Sequence, residues 1–181
     1  MPRPYRPSED SLFLLECVEG LAAGTAGRAL EIGCGTGFVT RGLRDSGALR
    51  LAACADLFPE AAREASGRFR GSPLEAVVCD AARPFREDAF DLIYFNPPYL
   101  PCDRDEDPAV CGGRGGVEVA LEFLRSAAGA LRRGGRMVAL VRAEGAGEVL
   151  GEARTMGLEG RIACRLRMFF EELVALELLR P

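Results

Sequence analysis

Residues 28–37, Arg-Ala-Leu-Glu-Ile-Gly-Cys-Gly-Thr-Gly, form a short, largely apolar run that ends in three glycines at alternate positions. Glycines there let the backbone adopt conformations that a Cβ forbids and let it approach a ligand closely. The run reads as a buried strand, and the segment that follows, to about Gly47, reads as a helix. This β-loop-α unit recurs along the chain. Strand 51–56 leads to helix 59–69, and strand 74–80 leads to a short helical segment. Strand 90–96 leads through an irregular loop, 97–115, to a helix ending near Arg132. Strand 136–141, a helix over 143–156 and closing strands 161–168 and 173–179 complete the pattern, the last two spaced for an antiparallel hairpin. Ahead of the first strand, an amphipathic helix runs from Pro7-Ser8-Glu9-Asp10 to about Ala23, with Ser8 as its expected N-cap.

Strands this continuously apolar belong in a parallel sheet covered on both faces, so the expected architecture is Rossmann-like α/β. At 181 residues, one domain spanning 1–181 is expected. A net charge of −4 argues against a general nucleic-acid binder, which needs a basic surface. No apolar run reaches the ~20 residues needed to span a bilayer, and Met1-Pro2-Arg3-Pro4 opens no signal-peptide core, so a cytoplasmic protein is expected. Seven cysteines without a Cys-x-x-Cys spacing favour buried free thiols. Cys102 and Cys111, flanking one loop, are the pair that could bridge. The chain has no His, which removes the usual general base and the commonest metal ligand, and no metal site is expected. All 23 basic residues are Arg, Gln is absent, and the only Asn is Asn96.

The dinucleotide fingerprint places its third glycine five positions after the first, where this chain has Phe38; here the third glycine is Gly37. That spacing resembles the first motif of S-adenosylmethionine methyltransferases. Asp56 ends the second strand, 23 residues beyond Gly33, where a carboxylate can accept from ribose hydroxyls, with Leu57 beside it. Asp80 ends the third strand with Ala81 after it, where such enzymes contact the adenine amino group. Capping of a following helix is an equally good reading of Asp80 alone. Glu31 lies inside the first strand and needs partners such as backbone N–H groups or a cofactor ammonium. The candidate cofactor contacts are therefore Gly33, Gly35, Gly37, Glu31, Asp56, Leu57, Asp80, Ala81 and Asn96, with Asp10 and Ser11 reaching from the N-terminal helix toward the methionine end.

Asn96-Pro97-Pro98-Tyr99 ends the fourth strand. Two consecutive prolines lack backbone donors and leave carbonyls free to accept from a substrate. A planar amino nitrogen is a poor nucleophile because its lone pair is delocalised. The Asn96 side-chain oxygen and the Pro97 carbonyl would each take one N–H and aim the lone pair. Tyr99 would stack on the flat face of the group. Asn96, Pro97 and Tyr99 are the candidate catalytic residues, and Pro98 completes the clamp. The alternative is a Pro-Pro turn with an Asn cap.

Nearly end to end, the chain resembles the HemK family of protein-glutamine N5-methyltransferases that modify translation termination factors, and within it the eukaryotic and archaeal branch. The resemblance is carried by Tyr5, Pro7-Ser8-Glu9-Asp10-Ser11, Glu31 to Gly37, Asp56, Asp80, Asn96 to Tyr99, and Gly112-Gly113-Arg114-Gly115-Gly116 with Glu118. It implies a class I methyltransferase fold: a seven-stranded, mostly parallel sheet of order 3-2-1-4-5-7-6 with the last strand antiparallel and helices on both faces. It implies S-adenosyl-L-methionine as cofactor and S-adenosyl-L-homocysteine as product. Its substrate would be the side-chain amide of the Gln in the Gly-Gly-Gln motif of a class I release factor, with Arg114 among the substrate contacts. It also implies a small zinc-binding activator subunit. In that fold the strand from Leu74 to Cys79 is an edge, apolar and without the Lys or Pro that blunts one, so it is the expected seat of that partner. Bacterial members carry an additional N-terminal helical domain that this sequence does not offer, so recognition is expected from loops or the partner. Gly115 and Val117 depart from the family pattern, which has Asn and Arg there. DNA or RNA base amino methylation, of the adenine N6 type, remains the alternative, because the Asn-Pro-Pro-Tyr motif is shared with such enzymes. A noncatalytic scaffold that retains S-adenosylmethionine is a further one.

Overall fold

In the computed structural model, residues 6–22, 27–103, 109–169 and 171–181 are described. Tyr5 and most of the charge cluster 103–107, expected as a solvated loop tip, lie outside them. The apolar runs become seven strands: β1 (Arg28–Ile32), β2 (Leu51–Asp56), β3 (Leu74–Val78), β4 (Phe90–Phe95), β5 (Leu131–Arg142), β6 (Glu159–Arg167) and β7 (Glu172–Leu179). They form one sheet of order β3-β2-β1-β4-β5-β7-β6. Pairing is parallel from β3 to β5, and β7 runs antiparallel to both β5 and β6. This is the class I methyltransferase order.

The period of two along β4 shows why the sheet needs cover on both sides. Leu92 and Tyr94 face one core with α1 (Glu9–Leu21), α2 (Phe38–Asp45) and α3 (Pro59–Arg68). Ile93 and Phe95 face the other with α4 (Glu118–Ala128) and α5 (Ala146–Thr155). All six β4 residues are buried. Such burial stabilises by roughly 25 cal/mol per Å² of apolar surface removed from water. Among the described residues, no helix is long and apolar enough to cross a membrane.

Three local expectations change. No helix follows Asp80: residues 80–89 are turns, and Ala81 takes φ +49, a left-handed conformation costing a non-glycine residue roughly 1–2 kcal/mol. Helix α4 ends at Ala128, four residues before Arg132, because Leu131 already pairs with Phe90 as the start of β5. Ser8 occupies the N-cap position of α1, but its hydroxyl turns to Asp10 rather than to the helix backbone.

Candidate active site

The glycine loop opens at the carboxyl end of β1. Gly33, Gly35 and Gly37 have φ of +68, +51 and +70, a region favourable only to glycine. The loop is tied to β2 by Gly33 N and Cys34 N, which donate to Ala55 O at 2.8 and 3.2 Å. Asp56 closes the turn: its carboxylate accepts from Gly35 N and Phe58 N, each at 2.9 Å. Burial raises the pKa of Asp56, and the N–H bonds of Phe58, Gly35 and Leu57 oppose that rise.

Gly33, Gly35, Asp56, Leu57, Asp80, Ala81, Glu31, Asp10, Ser11 and the Asn96–Tyr99 motif all line one cavity of about 570 Å³. Gly37 does not. A Cβ there would lie 2.7 Å from Phe69 Cζ and 3.0 Å from Ala65 Cβ, so Gly37 serves the packing of α2 on α3. Asp80 is exposed at the rim and pairs with Arg83; with no helix after it, the capping reading falls away. Phe58 and Phe123 add apolar walls that sequence reasoning missed. Phe123 stands edge-on to Phe95 with ring centroids 5.7 Å apart, and its ring would sit 3.1 Å from a Cβ at Gly33.

Glu31 is buried in a polar knot on the α1–α3 face. Its Oε2 accepts from Thr40 N at 3.1 Å, from Thr40 Oγ1 at 2.5 Å and from Cys54 Sγ at 3.7 Å. Thr40 Oγ1 lies 2.5 Å from the Tyr94 hydroxyl. Burial pushes the Glu31 carboxyl up to about 7, although the Thr40 and Cys54 bonds pull the other way. No sequence signal singled out Thr40 or Tyr94, since each has its polar atom inside an otherwise apolar face.

The Asn96 side chain is held from the far end of the sequence. Its Nδ2 donates to Asp10 Oδ2 at 2.9 Å, and the Tyr99 hydroxyl donates to the same oxygen at 3.3 Å. Among the described residues, the buried Asn96 Oδ1 has no hydrogen-bond partner. An orphaned buried acceptor is rare enough to call for a ligand.

The glycine-rich segment 112–116 packs against this motif. A Cβ on Gly112 would come within 2.7 Å of Pro98 O, and one on Gly116, at φ +73, within 2.6 Å of Tyr99 O. Glu118 fastens the segment by accepting from Gly115 N at 2.9 Å and Val117 N at 3.0 Å, and these bonds, Gly115's first, hold its carboxyl below the usual range. Gly116→Ala is therefore expected to cost about 2–4 kcal/mol, combining the left-handed backbone with a collision against main chain. Urea unfolding of the variant checks the figure. Val117, where the family pattern has Arg, is buried and packs on Gly145. Arg114 does not line the cavity; its side chain is 91% exposed, 4.0 Å from Asp103. Cys102 and Cys111 are joined as a disulfide beside the Leu100–Cys111 bridge, where the sequence favoured free thiols.

S-adenosylmethionine fits these residues. A glycine turn that admits close approach, carboxylates at the ends of β2 and β3, and an unpartnered acceptor at the end of β4 converge on a single cavity. What they define is an S-adenosylmethionine-dependent class I methyltransferase. The Methyltransferase domain family matches residues 30–97. A Methanocaldococcus jannaschii protein named for protein N5-glutamine methyltransferase activity is 30% identical, over 97% of this chain and 91% of its own. Methyltransferase HEMK2 of Mus musculus is 33% identical, over 89% and 83%. The chain belongs to the protein N5-glutamine methyltransferase family. Among solved structures, the E. cuniculi Mtq2–Trm112 complex, described as responsible for methylation of the eRF1 translation termination factor, superposes with a TM-score of 0.78 at 27% identity, covering 98% of both chains.

Proposed function

We propose that the substrate of this methyltransferase is the Gln side-chain amide in the Gly-Gly-Gln motif of a class I release factor, modified in the cytoplasm. The observation that carries the chemistry is the buried, unpartnered Oδ1 of Asn96, a residue that lines the cavity. The similarity to the Mtq2 chain supports the choice of substrate.

S-adenosylmethionine, when bound, supplies a methyl group on a positively charged sulfur. Gly33, Gly35 and Asp56 would hold it, with Asp80 at the rim. Asn96 Oδ1 accepts one N–H of the substrate amide, and the Pro97 carbonyl is the second acceptor. Together they fix the plane of the nitrogen and the direction of its lone pair. Phe58 and Phe123 exclude water from the cavity and strengthen these contacts. A chain without His has no imidazole to take the proton, and none is required, because a methylated, still-protonated amide is a strong acid that gives it to water.

The reading extends to a small zinc-binding activator seated on β3. This strand is an edge of the sheet, and Val77 and Val78 are 37% and 50% exposed on it. The opposite edge, β6, carries Arg161, Arg165 and Arg167 and a register shift between Ile162 and Cys164, the usual devices against strand addition. The test incubates the chain, with and without the activator, with S-adenosylmethionine and a class I release factor, then maps the methyl group by mass spectrometry. Methyl on the Gly-Gly-Gln glutamine is expected, with Val78→Asp weakening capture of the activator without unfolding the chain. Labelling of DNA or RNA instead would overturn the substrate, and full activity without any partner would overturn the activator.

A further inference from the structure

Asp10 grips the Asn96–Tyr99 motif from outside it, 86 residues away from Asn96 in sequence. Its side chain is nearly fully buried. Oδ2 accepts from Asn96 Nδ2 at 2.9 Å and from the Tyr99 hydroxyl at 3.3 Å. Oδ1 accepts from the Ser8 hydroxyl at 2.7 Å, from Ser11 N at 2.7 Å and from the Ser11 hydroxyl at 3.3 Å. An ionised carboxylate can only accept, so the NH2 end of the Asn96 amide is the end that can face it. The amide is planar and two-ended. With its nitrogen on Asp10, its oxygen is the free end of the amide, the buried acceptor without a partner among the described residues, at a residue that lines the cavity. Turned over, the amide would set two oxygens against each other and present NH2 to the substrate, donor against donor.

We infer that Asp10 is a positioning residue whose carboxylate sets the orientation of the Asn96 amide and thereby makes the clamp an acceptor. This rests on the reading that Asn96 Oδ1 takes an N–H of the substrate amide. It also gives Asp10 a role other than the cofactor contact expected from sequence, since its oxygens are already engaged by Ser8, Ser11, Asn96 and Tyr99. The start of α1 becomes part of the catalytic apparatus.

The chain offers an unusually clean test. It has one Asn and no Gln, so Asn96 contributes the only carboxamide NH2 pair in the spectrum of the 15N-labelled full chain. One proton of that pair is expected downfield and protected from exchange. Asp10→Asn brings a second pair, identified in the Asn96→Ala background, and removes the protection of the Asn96 pair, because the new amide needs its oxygen for Ser11 N–H and turns its own NH2 toward Asn96. With the release factor as methyl acceptor, Asp10→Asn is expected to lower kcat about 100-fold, with the Kd of S-adenosylmethionine unchanged. Added to Asn96→Ala, it costs little more, since the two residues act as one unit. An Asn96 NH2 pair indifferent to Asp10→Asn, losses that multiply in the double variant, or a loss confined to cofactor affinity would each overturn the proposal. If Asp10→Asn melts below the assay temperature, the wild-type spectrum decides: an Asn96 pair exchanging as fast as a free amide sinks it. The spectral arm needs no substrate, so it separates this inference from the choice of release factor.

Discussion

Asn96→Ala is expected to lower kcat about 10²–10³-fold while S-adenosylmethionine still binds, the scale seen when one preorganised hydrogen-bonding partner of a reacting group is deleted. The reasoning begins with burial. Among the described residues, no donor reaches the buried Asn96 Oδ1, so the substrate N–H is the partner that would relieve it. Removing it takes away an interaction used in orienting the nitrogen, not in holding the glycine-loop ligand, whose contacts Gly33, Gly35 and Asp56 stand on other strands. Single-turnover rates and cofactor calorimetry separate the two effects. A variant with an unchanged rate would place the clamp elsewhere.

The second large effect is on stability. Glu31 ionises near 4.5 in an unfolded chain and near 7 in the folded one, because burial in the knot disfavours its charge. Its protonated form thus favours the fold. The contribution is fully present below pH 4.5, declines as pH rises, and is gone once pH passes the folded value near 7. A shift of that size corresponds to about 3 kcal/mol. In the cofactor-free protein, urea unfolding at pH 5 and pH 8 is expected to show stability falling toward pH 8. Glu31→Gln, which keeps an oxygen for Thr40, should flatten the difference between the two conditions. An equal pH response in wild type and variant would mean that Glu31 stays ionised in the fold.

The existence of the strands and the closing hairpin could be read from the chain because the central strands, covered on both faces, are apolar runs, whereas the order of the strands came with the family resemblance. Boundaries were harder. Leu131 reads equally well as the last turn of a helix or the first residue of a strand, and only its pairing with Phe90 decides. The turns after Asp80 look helical in composition, but Pro84 and the left-handed Ala81 prevent a helix. Within the site, residues at strand ends were visible by position: Gly33, Asp56, Asp80 and Asn96 all fall at the carboxyl edge where such sheets bind ligands. The hold of Asp10 on Asn96 was not visible, since nothing local in either segment anticipates the other. Gly37 shows the converse: a glycine of the right spacing turned out to serve a helix contact.

The way Asn96 is held also bears on self-modification. A chain of a protein N5-glutamine methyltransferase family carries one side-chain carboxamide of its own, Asn96, in the cavity proposed for the reaction. Its nitrogen is occupied by the Asp10 carboxylate, so on the proposed reading the atom that resembles the substrate is shielded while the oxygen is left to accept. On that reading Asn96 is protected from automethylation, and side-chain amide methylation found in a reaction mixture is expected on the substrate.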